Sequence, residues 1–481
     1  MRSADMLKLC LGALFAASFS CALYAAQPLP EGCTPPANSN IGCDFFAVSL
    51  PNTLLDQTTF SFGVQLLNLT TSTANVSISG GGLALPDSFT IASASSASHA
   101  LPWVSTLSMS TATSKIAAGA YRIATSQPVS ALQLNPTSYV VSGSVFSQSN
   151  DASLLLPVKS AGTAYRVVTS PTWNNFGSQA PGHFAVVGTT VGTTVTIAAA
   201  GTILPGAGLS ANGGSAVLDA GDVLLVSSAL NAPMNGYGAD LSGTLITSTA
   251  PVLVWSGHTG TNVPAGTAFA DHLEEIQPPI SALGDDYVIV RPGNPSSGSQ
   301  TGARHMVKLV GAVNGTILTT DPFIAGAPGS LQAGQASTFE ATVDFHLHAN
   351  QPLAVALFME GGQTTGFNGA GDPSQSIAIP TSQARRSLDF LTPSQLGPWY
   401  AQVVAPANAK INVDGSAVSG WTPISGSGYS VALVALSALD VHHAAGNRPF
   451  TLSVYSYPTF TSYWYPASLG LGDIIFADSF L

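Results

Sequence analysis

The chain has 481 residues, with 13 basic and 24 acidic side chains and a formal charge of −11. A nucleic-acid binder needs a basic footprint against phosphate, which so few dispersed cations do not supply. A hydrophobic share of 45% with only 8% charged residues equally excludes a charge-swollen disordered chain.

The first element in chain order is a targeting segment. Arg2 and Lys8 precede an apolar run from Leu9 to Ala26 that ends in small residues, the layout of a secretory signal peptide over 1–26. The run is just long enough to span a bilayer, so a retained anchor is the alternative. No later run matches its length, so the remainder is not expected to cross a membrane as helices. Beyond it only Cys33 and Cys43 remain, around the short loop CTPPANSNIGC. In an exported chain that pair is expected to close the segment 27–44 as one disulfide.

From residue 45 onward short β-prone runs alternate with Gly, Ser, Asn and Pro clusters. FSFGVQLLNL (60–69), HFAVVGT (183–189), TTVTIAA (193–199) and VLLVSS (223–228) are examples. No stretch keeps an apolar period of 3.6 residues, so the fold class is all-β. A strand, a turn, a proline and a further apolar strand recur at Pro128, Pro251, Pro352 and Pro449. The spacing of about 100 residues predicts tandem β-sandwich-like units. They are placed at 45–140, 141–262, 263–365 and 366–466, followed by a tail over 467–481. A propeller-like arrangement is the alternative. Each proline is expected at the first residue of a strand, where its missing N–H costs no ladder bond.

Several clusters carry candidate chemistry. Asp271, His272, Glu274 and Glu275 form the densest charge cluster, with Asp285 and Asp286 close behind. The preferred reading is a loop that hydrogen-bonds its own backbone, with no cofactor; Ca²⁺ held by the carboxylate oxygens is the alternative. In DFHLH, strand alternation puts Asp344, His346 and His348 on one face, suited to Zn²⁺, with Phe345 and Leu347 turned to the core. The competing reading of that face is a solvated surface. Tyr455, Tyr457, Phe460, Tyr463, Trp464 and Tyr465 are concentrated near the end. They are read as a binding surface or as the packed closing strand. His442-His443 is read as a turn-side pair. No nucleophile elbow, phosphate loop or zinc-protease motif is present, so no catalytic residue is assigned and no enzyme is expected.

AYRIATSQPVSALQLNP (120–136), NDASLLLP (150–157), AYRVVTSPTW (164–173), DLSGTLITSTAPVLVWSGH (240–258), DHLEEIQPPISALGDDYVIV (271–290) and RPFTLSVYSYPTFTSYWYP (448–466) follow in order. Together they resemble the N-terminal domain family of IgGFc-binding proteins. The resemblance implies an extracellular, non-enzymatic β module that binds a glycan, a mucin or another protein, secreted or held at a bacterial cell surface. Members of that family carry cysteines around the DHL segment; here Thr261, Phe269 and Ala270 stand nearby, so a disulfide of that kind is not expected. The ending DIIFADSFL resembles the short tails of exported Gram-negative proteins. An outer-membrane β-barrel and a secreted hydrolase are the competing functional readings.

Overall fold

The computed structural model describes residues 33–36, 39–141, 145–175, 177–293, 304–364, 370–393 and 395–471. The expected signal segment and residues 472–481 of the C-terminal tail lie outside them. The described chain is almost wholly β.

One long strand organises each of four units. These spines are Tyr121–Asn135, Leu245–Thr261, the pair Phe345–Ala349 and Leu353–Met359, and Val441–Ser456. The first half of a spine pairs with the unit's opening strand and the second half with its closing strand. In the first unit, Gly42–Ala47 pairs against the start of the spine and Asp151–Leu154 against its end. The same order holds for Gly162–Arg166 and Asp271–Gln277, for Asp286–Ile289 and Ser374–Ile377, and for Arg385–Leu391 and Tyr463–Pro466.

The recurring prolines lie where a spine passes from one sheet to the other. In the second unit, ladder pairing to Thr193–Ala198 stops at Ser248 and pairing to Gly182–Gly188 begins at Val252, with Pro251 between. No ladder bond is needed there, so the lost N–H is free of cost. The expectation of a strand starting at each proline is corrected for three units, whose spines run straight through it. Only at Asn350-Gln351-Pro352 is the spine broken in two. The two sheets close on a single core: Tyr165, Phe184, Val195, Leu224, Ile246 and Val254 meet in the second unit. The units are therefore β-sandwich-like, as expected.

Hydrogen bonding puts the joins later than the sequence divisions at 140, 262 and 365. Pro157, Pro279 and Pro380 each open a single 3₁₀ turn that starts the next unit. A glycine of the preceding unit fits beneath each. A Cβ on Gly42 would lie 2.2 Å from the Pro157 side chain, one on Gly162 2.3 Å from Pro279, and one on Gly284 2.4 Å from Pro380. These are close approaches that only glycine permits.

The units form a ring. The opening-strand sheet of one unit faces the closing-strand sheet of the next: Val168 packs with Ala354, Ala356 and Phe358, and Val290 with Val404 and Val431. The circle closes where Gln65 Nε2 of the first unit donates to the Thr392 carbonyl of the fourth at 3.2 Å. At the centre the four closing strands touch in cyclic order, Asp151–Leu154 lying against both Asp271–Gln277 and Tyr463–Pro466, with Ser374–Ile377 opposite. Burial is complete along all four strands. The Cys33–Cys43 disulfide is formed, with Cα atoms 6.3 Å apart, and ties Cys33 to the start of the first opening strand.

Candidate functional site

Five carboxylates, Asp151, Asp271, Glu274, Glu275 and Asp372, are drawn into that central hub together with His272. Asp271–Gln277 is a strand, neither the self-bonding loop expected from sequence nor its Ca²⁺-binding alternative, and Asp271, His272, Glu274 and Glu275 are all fully buried. Glu274 accepts from Gln133 Nε2 and Ser153 Oγ at 3.0 Å through one oxygen. Its other oxygen accepts from Asn135 Nδ2 at 2.9 Å and lies 3.1 Å from His272 Nε2. Asp151 accepts from the Glu274 backbone N–H at 2.9 Å and from Ser374 Oγ at 3.2 Å. Asp271 accepts from Thr461 Oγ1 at 3.1 Å, and Ser462 Oγ accepts from the Asp372 N–H at 2.9 Å. Polar bonds thus tie all four units at the centre, where low dielectric strengthens each of them.

Burial sets the protonation of this cluster. Loss of water pushes Asp151 well above the usual carboxylate range, and the Glu274 carboxylate adds to it. Asp271 is raised by burial and then by Asp372 beside it, while Asp372 itself is pushed up to about 8. Glu275 is raised by burial as well. His258 is pushed down to about 3 by burial, donating Nε2–H to the Pro171 carbonyl at 3.0 Å and accepting from the Gly260 N–H. His183, buried beside it, is held well below its ordinary value. Acids and imidazoles are abundant here, but the cluster has no face open to solvent, so its geometry fits assembly of the ring.

The aromatic cluster is also placed inside. Tyr455, Tyr457, Tyr463, Trp464 and Tyr465 are all buried, in the last spine, the bend after it and the last closing strand, so the binding-surface expectation for them is corrected. Tyr465 donates to the Leu391 carbonyl at 2.7 Å, and Trp464 Nε1 to Ser453 Oγ at 3.1 Å. His442 and His443 lie on a strand; the first is buried against Asp414 and the second pairs with Asp389, each at 2.7 Å. The Zn²⁺ trio is changed by one member. Phe345 and Leu347 enter the core as expected, but Asp344 accepts from Arg291 Nε at 2.8 Å and stands apart. Asp286 takes its place, 2.9 Å from His346 Nε2 and 2.5 Å from His348 Nδ1.

Single apolar side chains such as Phe323, Leu85 and Met234 are exposed on separate segments, but at one end of the ring several exposed ones meet. Four loops, each joining a spine to its closing strand, emerge there. Phe269 from the second unit packs against Phe460 from the fourth, ring centroids 5.3 Å apart, while the two stay 38% and 39% exposed. Tyr139 packs on Phe146 at 5.2 Å and donates to the Thr459 carbonyl at 2.7 Å, joining the first loop to the fourth. Val140, Val145 and Phe146 are exposed beside it. Phe269 and Phe460 hold left-handed backbone, φ 69° and 62°. A bulky residue rarely adopts that region, at a cost of about 1–3 kcal/mol, and such strain gathers at ligand-contacting positions. Sequence reasoning placed Phe460 in the aromatic cluster weighed as a binding surface, but did not assign Phe269 a binding role. Their one signal is a large ring inside a turn-rich segment, PAGTAFA or YPTFTS, where nothing calls for core packing.

The family described as IgGFc binding protein matches residues 151–456. The chain belongs to that family. A human protein named IgGFc-binding protein is 30% identical over 304 residues, a stretch that is 61% of this chain and 5% of the human protein. No solved structure matches the chain. The IgGFc-binding match opens at Asp151, the first residue of the first closing strand, and ends at Ser456, the last of the fourth spine. It takes in Asp271–Gln277, Phe269 and the Asp286, His346 and His348 trio, and stops short of Phe460.

Proposed function

We propose that the chain is an extracellular, non-enzymatic binding protein that grips a protein ligand with the loop end of its ring. The observation carrying this reading is the Phe269–Phe460 pair. Two rings from different units meet in open solvent on strained backbone, where a folding argument alone would place Asn or Gly. Rigid aromatic anchors at the centre of a patch are the usual energetic focus of a protein interface. The neighbouring Tyr139, Phe146, Val140 and Val145 extend the patch.

Membership of the IgGFc-binding family supports an extracellular role, and with it the signal-segment reading of residues 1–26. The strands lie in separate sandwiches with their own cores, which favours this reading over a membrane barrel. Burial of the acid and histidine cluster favours it over a hydrolase. The human relative is named for binding IgG Fc, so Fc is one probe for this chain, alongside mucins, matrix proteins and glycans. The test is an array of those probes against the full chain and its Phe269→Asn/Phe460→Asn variant. A protein spot bound by the first and lost with the second supports the reading. A spot bound equally by both, or binding confined to free glycans, contradicts it.

A further inference from the structure

We infer that Asp286, His346 and His348 form a Zn²⁺ site on the third unit, at its seam with the fourth. The opening strand Asp286–Ile289 pairs with Phe345–Ala349 so that Asp286 stands opposite His348 and Val288 opposite His346. Directly opposed residues share a sheet face, and two histidines two apart on one strand share it too. That face is the one turned away from Phe345 and Leu347, which fill the core.

The geometry is that of converging ligands. His346 Nε2 and His348 Nδ1 both point at Asp286 Oδ1, at 2.9 and 2.5 Å, and the two rings are stacked obliquely with centroids 3.8 Å apart. All candidate donor atoms lie within 4.8 Å of one another. Tetrahedral zinc with bonds of about 2.0–2.1 Å spaces its donors about 3.3 Å apart, so an opening of under an ångström admits the ion. His348 is 54% exposed, whereas His346 is buried, its ring edge-on to Tyr429 at 5.6 Å.

The surroundings fit the chemistry. Asp286 Oδ2 accepts from Thr381 Oγ1 at 2.5 Å, which orients the carboxylate from the join with the fourth unit in the way outer-shell groups hold metal ligands. Asp321 lies across the sheet from His346 and adds negative charge. Two nitrogens and one carboxylate select a borderline ion over Ca²⁺ or Mg²⁺, which take oxygen ligands. Three protein donors leave a coordination position open on the exposed His348 side. Thr381 and Tyr429 also line a crevice of about 180 Å³ between the third and fourth units, so the ion would sit at the rim of that opening.

The experiment is titration of the chelator-treated full chain with ZnCl₂ by calorimetry, with thermal melts in Zn²⁺, Ca²⁺ and Mg²⁺. The expected result is one Zn²⁺ per chain, a raised midpoint with Zn²⁺ alone, and binding at least tenfold weaker in His348→Ala. That variant sits at a half-exposed position and is expected to fold. Thr381→Val is expected to weaken Zn²⁺ by about 10–100-fold. No Zn²⁺ uptake, or uptake unchanged in His348→Ala, overturns the assignment; the second outcome places the ion at another histidine, His443 or His99.

Discussion

Replacing Glu274 by Ala is expected to remove the keystone of the hub. The side chain is fully buried and meets four polar groups, Gln133 Nε2, Asn135 Nδ2, Ser153 Oγ and His272 Nε2, from two units. Each buried donor stranded without a partner costs about 1–3 kcal/mol. Some can turn to other acceptors: Asn135 already reaches the Leu50 carbonyl at 3.3 Å, and water can enter the space left by the carboxylate. A net loss of about 4–6 kcal/mol remains, in line with breaking a buried charge-paired group. That is comparable to the whole stability of many domains, so Glu274→Ala is expected to unfold at far lower urea or not to fold. Glu274→Gln keeps one carbonyl oxygen for Gln133 and Ser153 and opposes an amide to Asn135, for a loss of about 2 kcal/mol. Urea denaturation followed by tryptophan fluorescence reads both. A loss below about 1 kcal/mol for Glu274→Ala would refute the claim that the hub is held by this network.

Other outcomes follow from the same structure. Asp151, Asp271, Glu275 and Asp372 all have folded values raised above their unfolded ones, so the folded chain retains protons the unfolded chain releases. Above about pH 6.5, where the buried His183, His258 and His305 are neutral in both states, stability should therefore fall as pH rises toward 8, by about 1.4 kcal/mol per unit for each proton retained; below it those imidazoles oppose the carboxylates. Asp372→Asn should flatten that slope in urea melts between about pH 6.5 and 8; a stability that rises over this range contradicts the burial argument. Lys308→Met should cost about 3 kcal/mol. Its ammonium crosses from the third unit to Asp240 Oδ2 at 2.8 Å and the Thr169 carbonyl at 2.6 Å, and its loss leaves Asp240 unpaired. An unchanged melting midpoint would show the seam does not depend on it. Gly162→Ala should cost about 1–3 kcal/mol, because the new methyl meets Pro279 at 2.3 Å. Gly266→Ala, a left-handed position with open space around it, is the control for backbone strain alone.

How much of this was legible depended on whether a residue's partner was near in sequence. The β class, the four-fold recurrence and the short disulfide rest on local patterns, and strand alternation alone turned Phe345 and Leu347 inward. The ring itself was not legible, because it rests on closing strands that meet only in space. DHLEEIQ breaks the rule that charge marks surface: Glu274 accepts from Gln133, Asn135 and Ser153 and Asp271 from Thr461, all in other units. The aromatic cluster near the end stayed open between surface and packed closing strand for the same reason, since only in space does the strand carrying Tyr463, Trp464 and Tyr465 enter the hub. Asp286 escaped the metal reading because cross-strand pairing, not alternation along one strand, brings it to His346 and His348. Phe269 and Phe460 carry no periodic signal at all; only their shared exposure and backbone conformation mark them.

The central claim is that ligand binding resides in the loop-end aromatic patch. Surface plasmon resonance of the full chain and of Phe269→Asn/Phe460→Asn, over the protein ligand found on the array, tests it most directly. Asn suits left-handed backbone, so the variant is expected to melt no lower than the parent. The account predicts that its Kd is weaker by about 30-fold or more, the loss of one hot-spot contact of about 2 kcal/mol. A folded variant that binds within twofold of the parent would contradict it.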